Sequence, residues 1–285
     1  MFPNDLFPGS DLININLYGV MIAIGVLLCF VVLFTYAKKM GIKPKFTDFV
    51  FYTGVVAIAV GFFSAAVFQG IYNYIEDPSR GFSLTGGITF IGGLIGGVVV
   101  FLAIYLVLRK KFDNKLGDVL NFVPCCILLA HAFGRIGCFF AGCCYGGPTD
   151  SIFGVVFAPG SPAYREFGAT PIHPTQLYEA VFLLVMFGIT TWLVFKGKTH
   201  GRNNLAIYLM SYGVFRYINE ILRADYRGTF VSLVTPSQFW SILMVLIGIA
   251  LIILPRYVPV IAKTLYGKYA DQPKVEETAT EDAQN

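Results

Sequence analysis

The chain alternates between long apolar stretches and short polar connections. Seven stretches approach or exceed the roughly 18 apolar residues that a helix needs to cross a bilayer. They cover residues 17–37, 49–71, 86–108, 119–140, 177–195, 205–222 and 239–254. The pattern predicts an all-α integral membrane protein with seven transmembrane helices, forming one domain over residues 1–267.

Composition agrees with this interpretation. Hydrophobic residues make up 56% of the chain and charged residues only 13%, with a mean hydropathy of +0.67. Soluble domains carry about 25% charged residues, so the composition excludes a soluble globular protein and predicts lipid, not nucleic acid, as the main partner. Residues 268–285 are polar and acidic, which predicts a disordered tail.

The basic residues predict how the chain is oriented. All twelve lysines and three of the arginines lie in the first, third and fifth connections between spans or after the seventh span. Basic residues near span ends are retained in the cytoplasm, so the N-terminus is predicted outside and the C-terminus inside. No basic segment precedes the long first span, which indicates that this span is not a cleaved signal peptide.

The remaining basic residues are arginines only, at the outer face or in the outer half of a span: Arg80, Arg135, Arg165, Arg216, Arg223 and Arg227. A guanidinium forks onto two phosphate oxygens, which an ammonium cannot do. Arg135 and Arg216 lie within spans, where a charge costs about 3 kcal/mol. These positions predict a cavity that receives a phosphate.

Arg216, Glu220 and Arg223 recur at i, i+4 and i+7 on an otherwise apolar helix. A stripe that points inward would line a polar cavity, in which Glu220 orients the arginines or acts as a base. Alternatively, Arg216 simply pairs with Glu220 along the helix, and Arg135 extends to lipid headgroups.

Two motifs stand beside these arginines. Residues 131–150 read HAFGRIGCFFAGCCYGGPTD, and residues 173–180 read HPTQLYEA. Together they resemble the GRIGxFxxGxxxG and HPxQLYE motifs of prolipoprotein diacylglyceryl transferases, the seven-span bacterial enzymes that lipidate the lipobox cysteine of lipoprotein precursors. NLYGVMIAIG at 16–25, GGITFIGGLIGG at 86–97 and RYINEILR at 216–223 are similar to further family segments.

The resemblance implies transfer of the diacylglyceryl group of phosphatidylglycerol to a prolipoprotein lipobox cysteine, with release of glycerol phosphate, in the bacterial inner membrane and without a cofactor. It implies that Arg135 and Arg216 hold the phosphate while Glu220 and Tyr18 position or polarise groups. Further residues expected to bind substrate are Gly137, Gly142, Gly146, His173, Gln176, Tyr178 and Arg223.

The chain departs from the family pattern at three positions. Ile91 replaces a histidine, Cys138 an asparagine and Cys143 a glutamate. His131 shares a helix face with Arg135 and is the candidate general base; the alternative is a hydrogen-bonded interior histidine.

The six cysteines form two sets. Cys29, Cys125 and Cys126 lie within spans, and we expect them to be packing residues. Cys138, Cys143 and Cys144 could form a disulfide, bind a metal with His131, or replace the family's polar residues. Their spacing is not one of the usual zinc spacings, so no metal is predicted.

Two other functions remain open. The departures permit a transferase of the same fold that acts on another acceptor. The arginines would also suit a membrane transporter of an anionic substrate, although the two halves of the sequence show no repeat.

Overall fold

The computed structural model describes residues 16–85, 87, 89–196, 204–225 and 235–257. Nine α-helices lie within these ranges: α1 (Leu17–Lys39), α2 (Pro44–Glu76), α3 (Phe90–Leu108), α4 (Leu116–Leu120), α5 (Val123–Ala141), α6 (Pro162–Phe167), α7 (Thr175–Lys196), α8 (Asn204–Ile221) and α9 (Pro236–Tyr257). The predicted all-α architecture is confirmed for the described part of the chain, and the predicted tail at 268–285 lies outside it.

Six of these helices are long and apolar enough to cross a membrane: α1, α2, α3, α5, α7 and α9. The predicted span at 205–222 corresponds to α8, an 18-residue helix of lower mean hydropathy than the six. Its buried residues include Arg216, Asn219 and Glu220. The polar stripe that singles out α8 in the sequence is therefore also what lowers its hydropathy.

The predicted span at 119–140 is not one continuous helix. Helix α4 ends at Leu120 and α5 begins at Val123, with Pro124 in its first turn. Proline fits there because the first N–H groups of a helix have no partner within the helix. The predicted span at 49–71 is longer than expected, since Pro44 begins α2 in the same way.

The chain divides into two compact units. In the unit formed by residues 34–115, α2 and α3 pack through glycines: a methyl group at Gly93 would lie 3.2 Å from the Gly61 oxygen, and Ser64 Oγ donates to the Gly92 oxygen at 2.8 Å. The glycine-rich third span therefore serves close helix packing, as its small-xxx-small spacing predicts.

The other unit contains α5, α7, α8 and α9. Helix α7 packs against α5 and α8, and α8 packs against α9. The core between α5, α7 and α8 consists of Leu128, Ala132, Leu183, Met186, Tyr208 and Tyr212. The three motifs at 131–150, 173–180 and 216–223 belong to this unit, and so does Tyr18.

Candidate active site

The glycine-rich segment begins where α5 ends. Gly142 caps the helix in the left-handed conformation with φ 65°, which glycine adopts without strain. The Cys143 N–H then donates back to the Cys138 oxygen at 3.2 Å, and Cys144 also has a positive φ of 64°. The chain thus doubles back, so that Cys143 and Cys144 return to the last turn of α5.

The first turn of α7 holds this returning segment. Gln176 Nε2 donates to the Cys143 oxygen at 2.6 Å, and Thr175 Oγ1 donates to the Cys144 oxygen at 2.8 Å. Both side chains are buried. The motif at 173–180 therefore holds the backbone of the motif at 131–150 in place. Gln176, which was predicted to bind substrate, supports the backbone of this turn.

Gly146 joins three segments of the chain. Its N–H donates to the His173 oxygen, and the next N–H, of Gly147, donates to the Leu222 oxygen, both at 3.0 Å. A methyl group on Gly146 would lie 2.6 Å from His173 Cβ and 2.8 Å from the Leu222 oxygen. Glycine is needed here because two backbones approach it closely.

We expect Gly146→Ala to lower the free energy of unfolding by about 1–3 kcal/mol, the usual penalty of overpacking, because both neighbours are part of the backbone framework. Gly147→Ala is the matched control, since its new methyl group would meet only Ala224 Cβ, at 3.9 Å. Thermal unfolding of both purified variants in detergent checks this; equal stability of the two would contradict the packing argument.

A carboxylate that the sequence analysis did not single out lies at the centre of the site. Glu179, on α7, has a fully buried side chain. Its Oε1 is 3.0 Å from Arg135 Nε and accepts a 2.7 Å hydrogen bond from the Tyr212 hydroxyl, while Asn219 Nδ2 donates to Oε2 at 3.5 Å. Arg135 is thus ion-paired and largely buried. It belongs to a cluster to which α5, α7 and α8 each contribute side chains.

His131 lies one turn before Arg135. Its Nε2 accepts a 3.3 Å hydrogen bond from Arg135 Nε and is 3.6 Å from Glu179 Oε1, and its ring packs edge-on against Tyr212. Because a guanidinium N–H already engages this nitrogen, the geometry favours the interior, hydrogen-bonded histidine over the general base.

The stripe on α8 forms a second group of charges. Arg216 Nη2 lies 2.5 Å from Glu220 Oε2 and donates to Ser237 Oγ at 2.9 Å, so the predicted i, i+4 pair is present. Thr235 Oγ1 donates to Glu220 Oε1 at 3.1 Å. Arg216 Nη1 is buried and has no hydrogen-bond partner among the described residues, which leaves one guanidinium nitrogen available to a ligand oxygen.

Arg223 is the third charged residue of this group. Its guanidinium forms two 2.8 Å hydrogen bonds with the Asp225 carboxylate, and its Nε is 3.7 Å from Glu220 Oε2. It also interacts electrostatically with the Cys144 sulfur. The neighbouring Cys138 and Cys143 thiols, and next the charge of Arg223, lower the pKa of the Cys144 thiol.

Tyr18 and three cysteines adjoin Arg135. Tyr18, at the start of α1, packs on Gly137, where a methyl group would meet its backbone oxygen at 3.1 Å, and it interacts electrostatically with Arg135. The sulfur atoms of Cys138, Cys143 and Cys144, hereafter the thiol cluster, lie within 4.8 Å of one another. No disulfide joins any of the six cysteines, all of which lie within the described residues, so the disulfide considered from the sequence is not formed.

Other predicted residues lie around this centre. His173 Nδ1 and the Tyr178 hydroxyl are 3.2 Å apart, and Tyr178 lines an apolar groove with Phe153 and Val155. Arg165 is exposed on α6. Arg227 and the Arg80 side chain lie outside the described residues.

Cys125, in the other cysteine set, is buried and donates to Thr190 Oγ1 at 3.4 Å, as expected of a packing residue.

Comparison with known proteins identifies the family of the chain. The sequence profile of the family described as prolipoprotein diacylglyceryl transferase matches residues 9–254. The chain is 36% identical to a phosphatidylglycerol–prolipoprotein diacylglyceryl transferase of Clostridium tetani, over 84% of this chain and 93% of that protein. It is 33% identical to the second such enzyme of Clostridium perfringens, over 84% and 90%, and 32% identical to that of Pseudoalteromonas translucida, over 85% and 88%. The chain therefore belongs to the prolipoprotein diacylglyceryl transferase family.

Proposed function

We propose that this protein transfers the diacylglyceryl group of phosphatidylglycerol to the lipobox cysteine of a prolipoprotein and releases glycerol phosphate. The observation that carries the proposal is the pair of largely buried arginines, Arg135 and Arg216, each ion-paired with a buried glutamate. The names of the relatives give the same two substrates. A phospholipid headgroup supplies the phosphate that such arginines bind best.

The two arginines would act on the leaving group. As the acceptor sulfur attacks the glyceryl carbon, the C–O bond to phosphate breaks and negative charge grows on the phosphate oxygens. Arg216 Nη1, buried and unpaired among the described residues, can donate to one of these oxygens. Donors fixed in advance toward developing charge are among the most effective catalytic groups.

Two carboxylates hold these donors in place. Glu179 orients Arg135, and Glu220 orients Arg216. Arg216 also lies close enough to interact electrostatically with Glu179, so the two ion pairs form one charged group. Tyr18, beside Arg135 and the thiol cluster, is placed to position the acceptor, and His131 supports Arg135.

The apolar groove beside Tyr178 suits a different part of the substrates. Phe153, Val155, Leu177 and Val181 contribute to its lining, and the groove offers an acyl chain or the apolar lipobox residues a surface. His173 fixes the Tyr178 hydroxyl at one side of it.

We propose further that α8 is the seventh membrane span, with the N-terminus outside and the C-terminus in the cytoplasm of a bacterial inner membrane. A helix of 18 residues is about 27 Å long, close to the bilayer core. Its charges are buried, so they do not face lipid. The distribution of lysine supports the orientation.

Epitope tags inserted after Gly160 and after His200 test this topology. In spheroplasts of cells that carry the active protein, we expect antibody to label the Gly160 tag without permeabilisation and the His200 tag only after it. The reverse labelling, or labelling of both tags in intact spheroplasts, would contradict the seven-span arrangement.

The function is tested by mass spectrometry of a lipobox peptide incubated with the purified protein and phosphatidylglycerol in micelles. We expect a diacylglyceryl mass gain on the cysteine that Arg135→Ala abolishes and that Arg165→Ala, a change at an exposed arginine, leaves intact. Release of glycerol phosphate without a gain would indicate another acceptor. Neither product would favour a binding or transport protein.

A further inference from the structure

The thiol cluster has the dimensions of a metal site. Its three sulfur atoms lie within 4.8 Å of one another. Three thiolates bound to one zinc ion at about 2.3 Å are about 3.8 Å apart in a tetrahedral arrangement. Small movements of the side chains would bring the cluster to that geometry.

The backbone brings these sulfurs together. Cys138 is in the last turn of α5, and the reversal at Gly142 returns Cys143 and Cys144 to it. Cys144 has φ 64°, a conformation that is uncommon outside glycine and is often found at functional sites. The carbonyls of Cys143 and Cys144 are held by buried side chains of α7, so the cluster is fixed by the fold.

The surroundings of the cluster favour bound thiolates. Arg223 and Arg135 both interact electrostatically with the Cys144 sulfur. Each guanidinium is paired with a carboxylate, Arg223 with Asp225 and Arg135 with Glu179, but both still stabilise negative charge on the Cys144 sulfur. His131 is engaged by Arg135 and Glu179 and does not belong to this group of ligands.

We propose that Cys138, Cys143 and Cys144 bind Zn²⁺ through three thiolates and that the fourth coordination position of the ion receives the acceptor cysteine thiol. Thiolate ligands select soft ions such as Cu(I) and Zn²⁺. Zn²⁺ prefers four ligands, and catalytic zinc sites leave one of the four positions open. The inference rests on the proposed transferase function and assigns to the metal the activation of the acceptor.

The acceptor thiol binds Zn²⁺ and releases its proton to water, because coordination deprotonates a thiol. The zinc-bound sulfur attacks the glyceryl carbon, so that a C–S bond forms while the C–O bond breaks and its electron pair leaves on the phosphate oxygen. The product thioether carries no charge, is a weak ligand and leaves the ion. The three thiolates would thereby replace the polar groups that the chain lacks at positions 138 and 143.

The binding test uses the full chain, purified in detergent under reducing conditions and measured for zinc. We expect about one zinc ion per chain, retained after dialysis, and protection of three thiols from maleimide. Cys144→Ser should weaken zinc binding by more than the 10- to 100-fold expected from losing an outer-shell partner. Cys29→Ser, outside the cluster, is the matched control and should bind as the wild type does.

The activity test compares metal-free and zinc-reloaded protein on the lipobox peptide. We expect chelation to reduce transfer and zinc to restore it. Equal thermal unfolding of metal-free Cys144→Ser and metal-free wild type would show that the fold persists, because bound zinc itself stabilises the folded state. Full transfer by metal-free protein would overturn the inference and leave the proposed function standing. Absence of zinc binding, or a disulfide within the cluster in the active protein, would also overturn it. A protein that binds zinc but transfers nothing, whether metal-free or reloaded, would overturn both the acceptor role of the metal and the transferase function. The zinc-binding site itself would stand.

Discussion

Replacing Arg135 by lysine is expected to lower the rate of diacylglyceryl transfer by about 100-fold or more, the range seen when one preorganised donor to a developing oxyanion is removed. In the structure, Arg135 Nε contacts both Glu179 and His131. This leaves the forked end of the guanidinium to a phosphate. A lysine has one nitrogen for all these partners and cannot supply a bidentate fork.

The rate is measured as peptide lipidation at saturating phosphatidylglycerol, with membrane insertion checked by extraction in detergent. Arg165→Lys is the control, since Arg165 is also an arginine of this unit but is exposed on α6. Transfer by Arg135→Lys at the wild-type rate would contradict a phosphate-binding role for Arg135.

The second large effect is expected at Glu179. In Glu179→Gln the side chain keeps its shape and can still accept the Tyr212 hydrogen bond, but Arg135 loses its buried counter-charge. Leaving one member of a buried ion pair unpaired costs about 3–5 kcal/mol. We therefore expect a large loss of stability, together with a loss of activity in the protein that remains folded.

Glu166→Gln provides the comparison, because Glu166 is an exposed carboxylate on α6 and such surface changes stay within about 0.5 kcal/mol. Thermal unfolding in detergent and transfer per folded molecule separate the two effects. If Glu179→Gln unfolded at the wild-type temperature and transferred at the wild-type rate, Glu179 would not be the group that organises Arg135.

The sequence predicts the long helices well because an apolar run of sufficient length has few other structures open to it in lipid. It does less well where polar residues interrupt a run. The predicted span at 119–140 contains Asn121 and Pro124, and the helix is broken between them. A proline in the first turn of a new helix looks the same in sequence as a proline that bends a continuous one.

The same contrast holds within the site. The carboxylate that pairs with Arg216 is visible in the sequence because Glu220 lies one helical turn away. The partner of Arg135 is on another helix, and only the cost of burying a charge signals it: Glu179 is the one charged residue between 177 and 195. The left-handed Cys144 that closes the thiol cluster leaves no signal in the order of residues.

The ion pair between α5 and α7 also bears on how the protein is made. Arg135 and Glu179 enter the membrane on separate helices, and each ionised group alone opposes insertion of its own helix by about 3 kcal/mol. Helix α5 is synthesised first, so its arginine has no counter-charge until α7 arrives. The ion pair therefore stabilises the association of α5 with α7 relative to other helix pairings in the bilayer. The charges proposed to serve catalysis thus also direct assembly, and a chain that stops short of α7 would keep an unpaired cation in its membrane-spanning part.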